Sequence, residues 1–134
     1  MKALLKLIPL LALTGLVACS ANGVKNGDLS GATRPVGNGD VGDIIEFGDE
    51  RISFSRSDVA VYQVDLINRD DENVRVQYKA QWYDADGIEV DSVARSWSTV
   101  YVYAGSHKAV KSVAPNMEAV RCEMEVSLYD PMTR

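Results

Sequence analysis

The sequence predicts an all-β protein: an immunoglobulin-like β-sandwich of about seven strands, placed after a cleaved signal peptide and a flexible tether. Two observations predict the sandwich. Val74 to Tyr83 alternates strictly, with Val74, Val76, Tyr78, Ala80 and Trp82 on one side and Arg75, Gln77, Lys79, Gln81 and Tyr83 on the other. That is the period of a strand with one buried and one wet face. From residue 43 onward, β-rich segments are also broken by turn signals at intervals of about eight to twelve residues. A third observation sets the frame. Lys2 and Lys6, then the apolar run Leu7 to Val17, form a secretory signal over residues 1–18. Its apolar run is shorter than the roughly 18 residues a spanning helix needs, and Pro9 interrupts it.

Leu16, Val17 and Ala18 before Cys19 resemble a bacterial lipobox. The resemblance implies that Cys19 receives a thioether-linked diacylglycerol and becomes the first mature residue. Two or three acyl chains, each contributing about 0.8 kcal/mol per buried methylene, anchor a protein stably. Ser20 follows where aspartate would retain an enteric-type lipoprotein at the inner membrane, which implies the periplasmic face of an outer membrane if the source is Gram-negative. Of 14 basic residues, Lys2 and Lys6 leave with the signal; the remaining 12 against 19 acidic give the mature chain a net charge of −7. An acidic body argues against nucleic acid and a broad anionic lipid surface as partners, so the membrane is expected to be met through the lipid.

Residues 19–42 read as the lipidated start and a Gly-rich tether, with Gly23, Gly27, Gly31, Gly37, Gly39 and Gly42 among few apolar residues. Residues 43–134 form the folded domain. Ile44 to Phe47 is a short strand and Gly48-Asp49 a turn; Ile52 and Phe54 then alternate with polar residues. Val59 to Ile67 is a longer strand, and Asn68 to Asn73 a charged loop. After the central strand, Asp84-Ala85-Asp86-Gly87 turns the chain, with glycine where a positive φ is cheapest. Ile88 and Val90 begin the return, and Val93 to Trp97 extend it. Thr99 to Tyr103, Lys108 to Val113 and Arg121 to Tyr129 complete the set, with a helical turn at most near Asn116 to Ala119. Trp82 is the largest expected core side chain. With Cys19 lipidated, Cys122 has no intramolecular partner. It shares a strand face with Met124, Val126 and Leu128 and reads as a small core residue, a reactive thiol being the alternative.

The runs Leu66-Ile67-Asn68, Val76-Gln77-Tyr78 and Trp82-Tyr83-Asp84-Ala85-Asp86-Gly87 resemble the YcfL-like family of bacterial lipoproteins. So do Trp97, Ala104-Gly105 and Ala114-Pro115-Asn116 with Ala119. The resemblance spans Val59 to Leu128 and departs at Ala104, where members often carry proline. It implies a lipid-anchored immunoglobulin-like sandwich and supplies no function.

No catalytic constellation is expected. Ser106 and His107 are neighbours on a strand and point to opposite faces, and no glycine-flanked nucleophile serine is present. One histidine and one usable cysteine cannot make a structural zinc site, and Asp84-Ala85-Asp86-Gly87 lacks the distal ligands of a calcium loop. No enzyme activity, metal or cofactor is therefore expected. The binding candidates are tyrosines. Tyr101 and Tyr103 share one face of their strand, with Val100 and Val102 on the other, and either face could be the buried one. If the valines turn inward, the tyrosines stand exposed, joined by Tyr83. The leading expectation is a protein-interaction module binding an envelope protein. The alternative is a glycan or peptidoglycan-fragment binder that stacks sugars on these tyrosines.

Overall fold

The structure, a computed structural model, describes residues 29–37 and 40–130. The signal segment, the lipobox and Cys19 lie outside the described residues. Eight strands form two sheets: β1 Ser30–Pro35, β2 Ile45–Phe54, β3 Ala60–Asn68, β4 Val74–Tyr83, β5 Glu89–Val90, β6 Ser98–Val102, β7 His107–Val113 and β8 Arg121–Leu128. One sheet has the order β1-β8-β4, with β5 and β6 both paired to the far edge of β4; the other runs β2-β3-β7. Among the described residues the helical content is one short α-helix, Val41–Ile44, and a 3-10 turn, Val93–Arg95.

Alternation builds the core. Val76, Ala80 and Trp82 of β4 meet Tyr62, Val64 and Leu66 of β3 and Cys122, Met124 and Val126 of β8, all buried. Trp82 is the largest of them and donates its indole N–H across the sheets to Ser112 Oγ at 2.9 Å. Cys122 is fully buried, and burial, aided by the nearby Glu123 charge, pushes its thiol up to about 12. A thiol so held carries almost no thiolate at neutral pH. The β4–β5 hairpin is closed by Asp84. Its carboxylate accepts the N–H groups of Asp86 and Ile88 at 3.0 and 2.9 Å, and Gly87 takes φ +80°.

Three expectations are corrected. The tether was expected to run to residue 42, but Ser30–Pro35 is a strand, paired in parallel with β8 from Ser30↔Arg121 to Pro35↔Val126. Its own composition is poor in strand formers, and distant groups hold it. Thr33 Oγ1 meets Tyr62 Oη at 2.7 Å, the Thr33 N–H reaches Glu50 at 3.3 Å, and Arg34 pairs with Glu125. Gly48-Asp49 is a bulge within a continuous β2, where the register against β3 shifts between Phe47 and Glu50. Val93–Arg95 leaves the sheet as a 3-10 turn, because the Ser92 hydroxyl accepts the Ala94 N–H at 3.0 Å and caps it.

Gly31 shows why β1 tolerates so little. A Cβ there would come within 2.3 Å of the Tyr62 ring. Gly31→Ala must push β1 or the ring aside, and a loss of about 1–3 kcal/mol is expected, read as a lower urea midpoint. An unchanged midpoint would mean that β1 does not seat on Tyr62.

Candidate functional site

The outward face of the five-stranded sheet is a grid of polar and aromatic side chains, and strand register sets its rows. The first row is Tyr101, Arg75 and Tyr129. Arg75 lies opposite Tyr101, and the Tyr129 N–H continues the β8 ladder onto the Arg75 carbonyl at 3.0 Å. The next row is Thr99, Gln77 and Ser127, followed by Lys79, Glu125 and Arg34, then Gln81 and Glu123, and finally Glu89, Tyr83 and Arg121. Outward positions on one strand repeat every second residue, about 6.6 Å apart, so the grid from Arg75 to Tyr83 is roughly 26 Å long.

Cations cover the rings. The Arg75 guanidinium sits 3.6 Å from the Tyr129 centroid and 5.4 Å from that of Tyr101. Lys79 Nζ lies 4.7 Å over Trp97, and the Arg121 guanidinium 4.2 Å over Tyr83. Such pairs hold long basic side chains flat and reduce the entropy lost when they engage a partner. Glu125 anchors the middle, 8% exposed, bonded to Arg34 and lying 3.2 Å from Lys79 Nζ. Arg121 pairs with Glu123 at 2.6 Å. Arg75 differs: among the described residues it makes no ion pair, and its guanidinium is held by ring faces alone. Arg34, Arg75, Lys79 and Arg121 outnumber Glu89, Glu123 and Glu125, so the face is net cationic on a chain of net charge −5.

Burial alone would raise the Glu125 pKa. The hydrogen bonds and charges of Arg34 and Lys79 outweigh it and hold the carboxyl below its ordinary 4.5. The stability this contributes is present above pH 4.5 and lost as pH falls through the lowered value. Thermal melts of the wild type and Glu125→Gln, from neutral pH to about pH 3, should show a wild-type advantage that closes in that acid window. A gap independent of pH would sink the assignment.

The tyrosines expected to act together are divided. Val102 is buried and Val100 half-buried, so the valines face the core and Tyr101 stands 53% exposed. Tyr83 is on the same sheet face at the opposite end of β4, beside Arg121, and does not join Tyr101. Tyr103 lies beyond β6, in the turn where the Ser106 N–H donates to its carbonyl, and is 64% exposed. Sequence reasoning missed Arg75, Tyr129 and Trp97. Arg75 was legible as an outward residue of β4, but the two rings flanking it come from β6 and from the end of β8.

A second region also escaped it. Asn68 is fully buried where β3 ends, donating to the carbonyls of Glu72 at 2.7 Å and Val102 at 3.0 Å and accepting the Asp70 N–H at 3.0 Å. The loop 69–73 is thereby locked rather than merely wet. No group of His, Cys, Asp and Glu that could hold a metal occurs among the described residues, and no helix there is long and apolar enough to cross a membrane.

A family model described as a protein of unknown function, DUF1425, matches residues 38–128. Two solved structures are similar. One is a DUF1425 family member from Shewanella sp. pv-4, with a TM-score of 0.57 and 23% identity over 67% of this chain and 81% of that one. The other is Campylobacter jejuni cj0090, with a TM-score of 0.59 and 17% identity over 72% of this chain and 97% of that one. At these identities the likeness concerns the fold alone. No curated protein matches.

Proposed function

The chain belongs to the DUF1425 family of proteins of unknown function, and from that premise we propose that it is a lipid-anchored protein-interaction module of the cell envelope, one of the YcfL-like lipoproteins within the family. Cys19 carries the lipid in this reading, the residues before β1 form the tether, and the sandwich faces the periplasm from the outer membrane. Tethering raises the effective concentration of the domain near partners on the same membrane.

The observation that carries the reading is Arg75, stacked between Tyr101 and Tyr129 with no carboxylate of its own among the described residues. Arg, Tyr and Trp are the residue types that dominate protein-binding hot spots. The net positive face favours a partner presenting carboxylates, which would meet Arg75 in a bidentate pair. Sugar stacking on Tyr101 is the competing use. It is less favoured because the Arg75 guanidinium already lies toward that ring, as Lys79 does over Trp97. The domain acts by binding and performs no chemistry of its own.

The test places a photo-crosslinking residue at Tyr101 in the full-length lipidated protein, in cells. One dominant protein adduct, lost when Arg75→Glu is added, supports the reading. Adducts to glycan strands, or none from a folded and lipidated protein, would overturn it. Cys19→Ala should release the protein from membranes, and retention there would remove the lipid from the account.

A further inference from the structure

The two lateral sides of the sandwich are unlike. On one, β1 and β2 are joined by the Thr33 N–H to Glu50 bond, and Thr33 also meets Tyr62. On the other, β7 ends its sheet with no further strand among the described residues. The β3–β7 register, with the Ala114 N–H on the Ala60 carbonyl and the Asn68 N–H on that of Ser106, fixes which backbone groups are used. Bonded pairs fall on every second residue. Lys108, Val110 and Ser112 therefore turn their N–H and C=O toward β3. His107, Ala109, Lys111 and Val113 turn theirs outward, and no backbone partner meets them among the described residues.

Beside this edge the facing sheet also has a gap. β5 pairs with β4 only at Trp82 and Tyr83, and β6 only from Val74 to Tyr78, which leaves Lys79 to Gln81 without a neighbour on that edge. The 3-10 turn swings out around the gap. Between it and β7 lies a cleft of about 650 Å³ lined by Tyr78, Ala80, Val93, Ala94, Ser112 and Val113, with Lys111 and Asp91 also at its wall, the latter engaged by Arg95 at 3.3 Å. Two apolar side chains stand open at its rim, Val93 being 95% and Val113 51% exposed.

We propose that the outer edge of β7 and this cleft bind an extended, acidic peptide segment of a partner protein by strand addition, with one apolar side chain set into the cleft. Outward N–H and C=O groups at Ala109, Lys111 and Val113 supply the ladder, and the cleft selects the side chain. Charge complementarity selects the acid. Among the described residues, Lys108 and Lys111 make no ion pair, while the carboxylate bridges at Glu46, Asp49, Glu89, Asp91, Glu123 and Glu125 are made by arginines or by Lys79. The same lysines disfavour a second copy, because pairing two β7 strands gathers four of them on one short ladder, and the register that sets Lys111 against its own copy puts like charges directly opposite. This site is separate from the Arg75 face and stands or falls apart from it.

Unconstrained dodecapeptides displayed on phage are selected against the full chain, and the leading peptide is measured by fluorescence anisotropy. Acidic sequences with alternating apolar residues are expected. Ala109→Pro removes only an outward N–H, which an edge strand tolerates, and should weaken binding at least about tenfold. Lys111→Glu should weaken it comparably and serves if the proline variant fails to fold, while Arg75→Glu should leave it unchanged. Hydrogen exchange at Ala109, Lys111 and Val113 should slow in the complex. Failure to select a peptide, or binding indifferent to both β7 variants, would overturn the proposal. So would a wild-type dimer in light scattering that Ala109→Pro dissolves, since the edge would then belong to a second copy.

Discussion

Trp82→Ala should cost about 3–5 kcal/mol, the largest single loss expected in the domain. The ring is fully buried, its strand pairs with β8 at Cys122 and with β5 at Val90, and its N–H crosses to Ser112 in the facing sheet. Alanine leaves a cavity bounded by both sheets, which hydrogen-bonded strands on each side keep from collapsing. It also takes a partner from the Ser112 hydroxyl. Domains of this size hold only about 5–15 kcal/mol in all, so the variant should be partly unfolded at physiological temperature. Urea titration followed by far-UV circular dichroism checks it. Trp82→Phe separates the two contributions, keeping most of the volume while losing about 0.5–1.5 kcal/mol with the hydrogen bond. A Trp82→Ala loss below that of Trp82→Phe would show that the ring does not join the sheets.

The second large effect is expected at Asn68. Asn68→Ala strips the Val102 and Glu72 carbonyls of a donor and the Asp70 N–H of an acceptor. A buried group left without a partner costs about 1–3 kcal/mol, so a loss of roughly 2–3 kcal/mol follows. Asn68→Asp is the sharper variant. An ionised carboxylate would turn acceptors toward two carbonyls, and only its protonated form can donate to one of them. Its deficit should therefore narrow as pH falls, measured by thermal melts across acid pH. A deficit that is flat with pH would mean that the Asn68 amide nitrogen does not face those carbonyls. Loosening this residue should also free the 69–73 loop, seen as faster amide exchange at Asp70.

How much of this was legible depends on where each signal sits. The central strand could be read because alternation is local: β4 carries its own period, and Asp84 and Gly87 carry their own turn. The burial of Cys122 followed from the same period in β8. β1 was illegible because nothing in Ser30 to Pro35 marks a strand; its reasons are Tyr62, Glu50 and Glu125, contributed by three other strands. Gly31 was counted among the tether glycines for flexibility, yet its place is fixed by the ring above it. The 3-10 turn at Val93–Arg95 was hidden because Val93 and Ala94 suit a strand equally well, and Ser92 decided the outcome. Of the candidate surface, the exposure of Tyr101 depended on which face of β6 was buried, a choice period two leaves open. Arg75 reads as one more solvated residue until the register sets Tyr101 and Tyr129 on either side.

The parallel pairing of β1 with β8 also bears on the order of assembly. Arg34 and Glu125 are 91 residues apart in sequence, and no hairpin can bring such neighbours together. Of the strands among the described residues, synthesis delivers β1 first and β8 last. The leading strand must therefore wait, unpaired, until the trailing strand has docked on β4. Closing so long a loop slows folding more than it weakens the product. Sequence separation therefore predicts that the β1–β8 ladder forms late in folding, and that amide protection at β1 in a refolding experiment follows that of the β4–β8 pairing.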